Sequence, residues 1–285
     1  MVSSLSNSLT GLASGGLWDM AGRVRVTTFI GAGGKTTCLK AMTREFGLAG
    51  LQVIATTTTK VYPEADMKIW KNPYSPPPDE DNAWFWYAKI EASNSGKWLG
   101  PALNVVDDAI AADQRFWVIE GDGARGHKLK CWGSHEPQIP LFSDCAVLVV
   151  DRGLWGKVLQ KDQIHRPELS QDLIGNVWNA EKAWNYFLKS PVFAPQYRHM
   201  TWVILLNSCG VCTENKELVR SKNHKDQRGL ITPNSVDSHD LLRSLSCRWA
   251  EIEQDFNVQN KYRPKRLRLA AGDAKEGKLL WFDLW

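Results

Sequence analysis

Short apolar runs recur along this chain, each bounded by glycine or polar residues. Residues 23–30 read as a buried strand carrying Val24, Val26, Phe29 and Ile30, and residues 31–34 as a glycine turn. From Lys35 onward the apolar positions become Cys38, Leu39, Met42 and Phe46, the three-and-four spacing of an amphipathic helix. Gly47 is its expected stop. A second strand begins at residues 52–55, and residues 116–120, 146–150 and 202–206 are three more apolar runs of strand length. Strand, helix, strand at this spacing is a βαβ unit. It predicts an α/β fold with a mostly parallel sheet and flanking helices.

Between these elements the pattern breaks. Residues 72–82 hold four prolines and an acidic run, which predicts a surface loop or hinge, and residues 84–90 read as a strand within an insertion at about 70–100. Helices are expected over 169–188 and 237–249, and a polar, basic loop with a short helix over 212–234. Residues 1–22 are rich in Ser, Gly and Leu, with neither a basic start nor an early Arg, and read as a disordered leader. The remainder, 23–285, reads as a single domain.

Composition narrows the class. The chain has 285 residues, 43% hydrophobic and 23% charged, with 35 basic and 31 acidic residues. This is ordinary for a globular domain, and the near balance of charge offers no electrostatic case for nucleic acid or a membrane surface. Six irregularly spaced cysteines make no disulfide framework, so a reducing, cytoplasmic setting is expected. Cys209 and Cys212 have CxxC spacing but no second pair, so a structural zinc site is unsupported. Fourteen tryptophans are read chiefly as core filling.

The candidate chemistry centres on Gly31-Ala32-Gly33-Gly34-Lys35-Thr36-Thr37, which ends an apolar strand and opens a helix. Glycines let the backbone turn tightly and aim its N–H groups at an anion, and a helix N-terminus adds unpaired donors and a positive dipole end. In a P-loop arrangement Lys35 reaches the β- and γ-phosphates and Thr36 places its hydroxyl on Mg²⁺. The turn departs from the usual spacing: Phe29 stands where the first glycine is expected, so it is shorter, like that of Mur ligases. Thr56-Thr57-Thr58-Thr59-Lys60 follows the second strand, with Thr58 and Thr59 as candidates for sensing metal or γ-phosphate.

Residues 116–120 end in Glu120-Gly121-Asp122-Gly123, placing two carboxylates where such proteins hold Mg²⁺. An Asp-Gly turn with a capping carboxylate is the plain alternative. Arg125 is a candidate for neutralising transferred charge. His127, Lys130, His135 and Glu136 crowd the following loop, and His165 and Arg166 repeat the same chemistry later. Together these six are the candidate second-substrate surface.

The ordered set of motifs resembles the YqeC family over about residues 24–207: residues 31–37, Thr56–Lys60 with Pro63, residues 120–126, Leu129-Lys130, residues 135–140 with His-Glu-Pro-x-Ile-Pro, and His165-Arg166-Pro167-Glu168. That family comprises accessory proteins of selenium-dependent molybdenum hydroxylases, linked to selenium cofactor biosynthesis. The resemblance implies a P-loop-like fold binding a nucleoside triphosphate with Mg²⁺. It also implies a role with a molybdenum hydroxylase or a cofactor intermediate as partner. Where the family resembles G proteins in an Asn-Lys-x-Asp run, this chain has Asn207-Ser208-Cys209-Gly210, so the base-reading Asp is missing. Gly121 also stands where the family usually has Ala. Three roles are compatible with this pattern: an NTPase or NTP-dependent transferase, a nucleotide-gated delivery protein, and a small-molecule kinase. Lys35, Asp122 and Arg125 are the candidate catalytic residues, with Thr36, Glu120 and Asp122 at the metal.

Overall fold

The apolar runs are continuous because their strands are covered on both faces. In β11 (Cys145–Asp151), Ala146, Leu148 and Val150 join one core while Cys145, Val147 and Val149 join another. Val203 and Leu205 of β13 (Thr201–Asn207) separate in the same way from Trp202, Ile204 and Leu206. This two-sided burial is the signature of parallel sheets in α/β proteins.

A computed structural model describes residues 11–62, 67–92, 96–208, 237–259 and 262–285. Its elements begin with β1 (Ala13–Gly15), α1 (Leu17–Ala21), β2 (Val26–Gly31), α2 (Lys35–Leu48), β3 (Val53–Thr57) and β4 (Lys60–Val61). Next come β5 (Lys68–Lys71), β6 (Ala83–Tyr87), β7 (Lys89–Ile90), β8 (Trp98–Leu99), α3 (Leu103–Ala112), β9 (Phe116–Glu120) and β10 (Leu129–Lys130). After β11 come β12 (Ile164–His165) and α4 (Ala180–Leu188). Following β13 the chain finishes with α5 (Ser238–Gln259), β14 (Arg266–Asp273) and β15 (Lys278–Asp283).

Ten strands form the main sheet in the order β1-β15-β14-β13-β11-β2-β9-β3-β6-β5. All its pairings are parallel except those of β15 with β14 and β1. Helices α1 and α2 pack through Leu17, Met20, Leu39, Met42 and Phe46 on one face. On the other face α3 contributes Val106 and Ile110, while α4 and α5 contribute Trp184, Phe187, Leu241 and Leu245. Strand β9 lies between β2 and β3, so the end of β9 stands beside the glycine turn. The chain fills one flank of β2 first and the other later. That makes β2 the topological switch point, where crevices open at the carboxyl ends of strands.

Four expectations need correction. The segment from residue 11 to 22 is not a loose leader: β1 pairs with β15, and Leu17 and Met20 are fully buried against α2. Residues 1–10 lie outside the described residues. The strand expected at 84–90 divides in two: β6 pairs directly with β3 and extends the main sheet, while β7 pairs with β8 in a separate three-stranded sheet. The helix expected over 169–188 forms only from Ala180, where the Asn179 side chain caps the first turn; Pro167–Leu169 is a short 3-10 turn. Finally, α2 runs through Gly47, and Gly50 takes the left-handed conformation beyond it. The CxxC pair and the loop at 212–234 fall outside the described residues. No helix among those described is long and apolar enough to cross a membrane.

Candidate functional site

The glycine turn is built into the switch point by close backbone approach. Gly31 has φ +95°, and a Cβ there would sit 2.4 Å from the Val149 carbonyl oxygen. Gly33 has φ +94°, and its Cβ would lie 2.3 Å from the Asp151 amide. Both residues therefore need glycine for conformation and for space. Gly33→Ala is expected to destabilise the fold by about 2 kcal/mol or more, since strain and overpacking combine. A urea midpoint equal to wild type would show that the turn relaxes freely.

Gly34, at the N-cap of α2 with φ +109°, brings no capping side chain. The first-turn amides of α2, those of Lys35, Thr36 and Thr37, have no acceptor within the helix. With Gly33 and Gly34 they form a bend of backbone donors backed by the helix dipole. Ala32, by contrast, donates its amide to the Val149 carbonyl at 2.9 Å. Asn207 steadies the turn from β13: its side-chain amide donates to the Gly33 carbonyl at 2.9 Å, and its oxygen accepts from the Ala274 amide.

Two carboxylates meet the turn in different ways. Glu120, the last residue of β9, accepts from the Thr36 hydroxyl at 2.8 Å. Asp122 is fully buried and accepts from the Gly31 amide at 3.0 Å and the Trp132 indole at 2.6 Å. Lys35 lies between them, 3.3 Å from Asp122 and 3.8 Å from Glu120, and donates to the Gly31 carbonyl at 2.6 Å. Burial pulls the Lys35 ammonium down, but Asp122 and Glu120 more than offset this, and its pKa ends above the ordinary lysine value. Burial raises the Glu120 carboxyl, against the opposing pull of Lys35 and the Thr36 hydroxyl.

The threonine loop is tied to the same strand ends. Thr57 donates to the Glu120 carbonyl at 3.0 Å and Thr58 to the Gln138 carbonyl at 2.7 Å, while the Thr59 amide is held by the Thr57 hydroxyl. Thr58 is buried and Thr59 only partly so.

The second-substrate candidates divide into three groups. His127, His165 and Arg166 line one open cleft, together with Arg125, the candidate for neutralising transferred charge. They meet because β10 and β12 pair in parallel, Lys130 opposite His165. Lys130 itself is fully buried; its ammonium donates to the Gly123 carbonyl at 2.6 Å and Glu136 at 3.0 Å and lies 3.6 Å from Asp122. Glu136 in turn pairs with Arg166 at 3.2 Å. His135 is exposed and outside the cleft. Asn207, named in the motif reading only at the position of the Asn-Lys-x-Asp run, and Trp132 are site residues whose contacts with the turn and Asp122 were not foreseen. The signal for Asn207 was its place at a strand's carboxyl end; Trp132 carried none, since a tryptophan beside an apolar run reads as core.

Hard oxygen donors suit Mg²⁺, which takes few protein ligands and completes its shell with water and phosphate. The Thr36 hydroxyl and Glu120 carboxylate fit that donor set. Among the described residues there is no group of three or more His, Cys, Asp or Glu side chains able to hold a metal by itself.

Comparison with known proteins covers the same ground. The family model described as YqeC protein matches residues 27–168. Uncharacterized protein YqeC of Escherichia coli (strain K12) is 27% identical over 164 residues, which is 54% of this chain and 62% of that protein. The chain thus matches less than two thirds of its relative's length. No solved structure matches. The glycine turn, the threonine loop, the Glu120–Gly126 segment and the His165–Glu168 motif all fall inside the matched region, and the chain belongs to the YqeC family.

Proposed function

We propose that this protein binds a nucleoside triphosphate on the Gly31–Thr37 turn and acts as an NTPase or NTP-dependent transferase. The observation that carries the reading is the contact of Thr36 with Glu120 beside a left-handed glycine turn whose helix has no side-chain cap. Amides of Gly33 to Thr37 would hold the phosphates, and Lys35 would exchange its carboxylate contacts for phosphate oxygens. Thr36 and Glu120 would hold Mg²⁺, which would supply positive charge to the transferred phosphoryl group. Asp122 would act one step back, holding Gly31 and orienting Lys35. The rate gain asked of such a site is mostly positioning and electrostatics. Following the resemblance, the proposed setting is cytoplasmic maturation of a molybdenum hydroxylase or its cofactor.

Glu120→Gln separates folding from function. The substitution removes a buried charge while leaving an oxygen to accept from Thr36, and Lys35 keeps Asp122. The thermal midpoint of the free protein is expected to stay level or rise. Nucleotide binding should lose its dependence on Mg²⁺, read by calorimetry with and without the metal. A variant that still binds Mg·NTP like wild type would remove Glu120 from the metal site.

A further inference from the structure

An open cleft of about 550 Å³ is lined in part by Arg125, His127, Lys161, His165 and Arg166. Its size is that of a small-molecule site. Asp162 and Glu168 share the wall, so three permanent cations face two carboxylates before either histidine is counted.

Two features set this wall apart from a solvated basic surface. Only three non-glycine residues among those described have positive φ, and two of them, Arg125 at 50° and Arg166 at 62°, stand here. Side chains rarely adopt that region, and such outliers gather at ligand clamps. Secondly, His165 leaves a buried Nδ1 without a hydrogen-bond partner, while the His127 ring, 5.6 Å away, has its Nδ1 against the Ala124 carbonyl. A buried polar atom without a partner is uncommon in a finished structure.

We infer that this cleft is an oxyanion site for the phosphoryl group of a small second ligand, clamped by Arg125 and Arg166. Guanidinium forks match oxyanions in geometry as well as charge. Convergence of two arginines, a lysine and two imidazoles suits an anion with more than two acceptor oxygens, hence phosphoryl rather than carboxylate. Burial, followed by the nearby Lys130 ammonium, holds the His165 pKa below the ordinary imidazole value, and an anion among these groups would offset that penalty. The cleft stands on its own geometry. Only its description as a second substrate site rests on the nucleotide reading.

The test is a pyrophosphate titration of the isotope-labelled full chain at constant ionic strength, followed by amide resonances. Saturable shifts are expected at Arg125, His127, Ile164, His165, Arg166 and Glu168. Resonances of residues 31–37 report the glycine turn separately, so failure there would strike the nucleotide reading and leave the cleft standing. Arg125→Gly retains the positive-φ backbone without the guanidinium, and should weaken the cleft response about tenfold while leaving the turn's unchanged. Cleft signals that stay still, that respond equally in Arg125→Gly, or that follow acetate as readily as pyrophosphate would overturn the inference.

Discussion

Lys130→Met is expected to lower the free energy of unfolding by about 3–5 kcal/mol, the usual consequence of deleting one partner of a buried ion pair. The Lys130 ammonium is fully buried and serves three oxygens, those of Asp122, Glu136 and the Gly123 carbonyl. Methionine fills the volume and answers none of them. Asp122 keeps Lys35, the Gly31 amide and the Trp132 indole, while Glu136 is left with the partly exposed Arg166, so the heavier loss falls on Glu136 and the Gly123 carbonyl. Adding Glu136→Gln to Lys130→Met should therefore recover part of the loss, as neighbouring sites in one network are not additive. Urea unfolding at neutral pH measures both variants. A single variant within about 1 kcal/mol of wild type would mean that water reaches this network and screens it.

Lys35→Ala is expected to weaken binding of Mg·NTP by about a hundredfold, in keeping with loss of charge-assisted hydrogen bonds to phosphate. Calorimetry with ATP, GTP and CTP, each with and without Mg²⁺, reads the loss and also reveals base preference. Unchanged affinity would end the proposed function. The structure adds a second consequence, because Lys35 is buried against two carboxylates and its removal also costs stability. The sign follows from its pKa, raised above 10.5 in the folded state. Its contribution is complete below the unfolded value and is lost only as pH rises through the folded one, so the variant is less stable throughout the neutral range.

Linked distances of 3.3, 3.6, 3.0 and 3.2 Å join Lys35, Asp122, Lys130, Glu136 and Arg166 into one chain of alternating charge. It runs from the glycine turn to the basic cleft through the protein interior. A ligand that draws Lys35 toward itself would leave Asp122 leaning on Lys130. The two ends of the chain are therefore electrostatically connected through groups that meet little solvent.

How much of this was legible beforehand follows from what each residue's role depends on. Strands β9, β11 and β13 were readable to within one residue, and β2 to within three, because a strand buried on both faces writes an unbroken apolar run. Helix α2 was readable from its spacing, and the turn from glycines that only a left-handed backbone requires. Strand β6 was visible as a strand but misplaced, because a run such as Ala83–Tyr87 carries no mark of its partner. The terminal strands β1, β14 and β15 went unread for the same reason.

The sequence by itself determined local conformation: which segments would be strands, where a helix would begin, and that Lys35 and Thr36 would stand at its first turn. Those outcomes depend on side-chain period and backbone sterics within a few residues. Only the tertiary structure decided partnership. It turned Glu120 toward Thr36 and Asp122 toward the Gly31 amide, although the two acids lie two residues apart. Lys130, too, went inside while Arg125 stayed in the cleft. Those choices rest on burial and on charges brought together from across the chain, and neither quantity is defined until the sheet has closed around them.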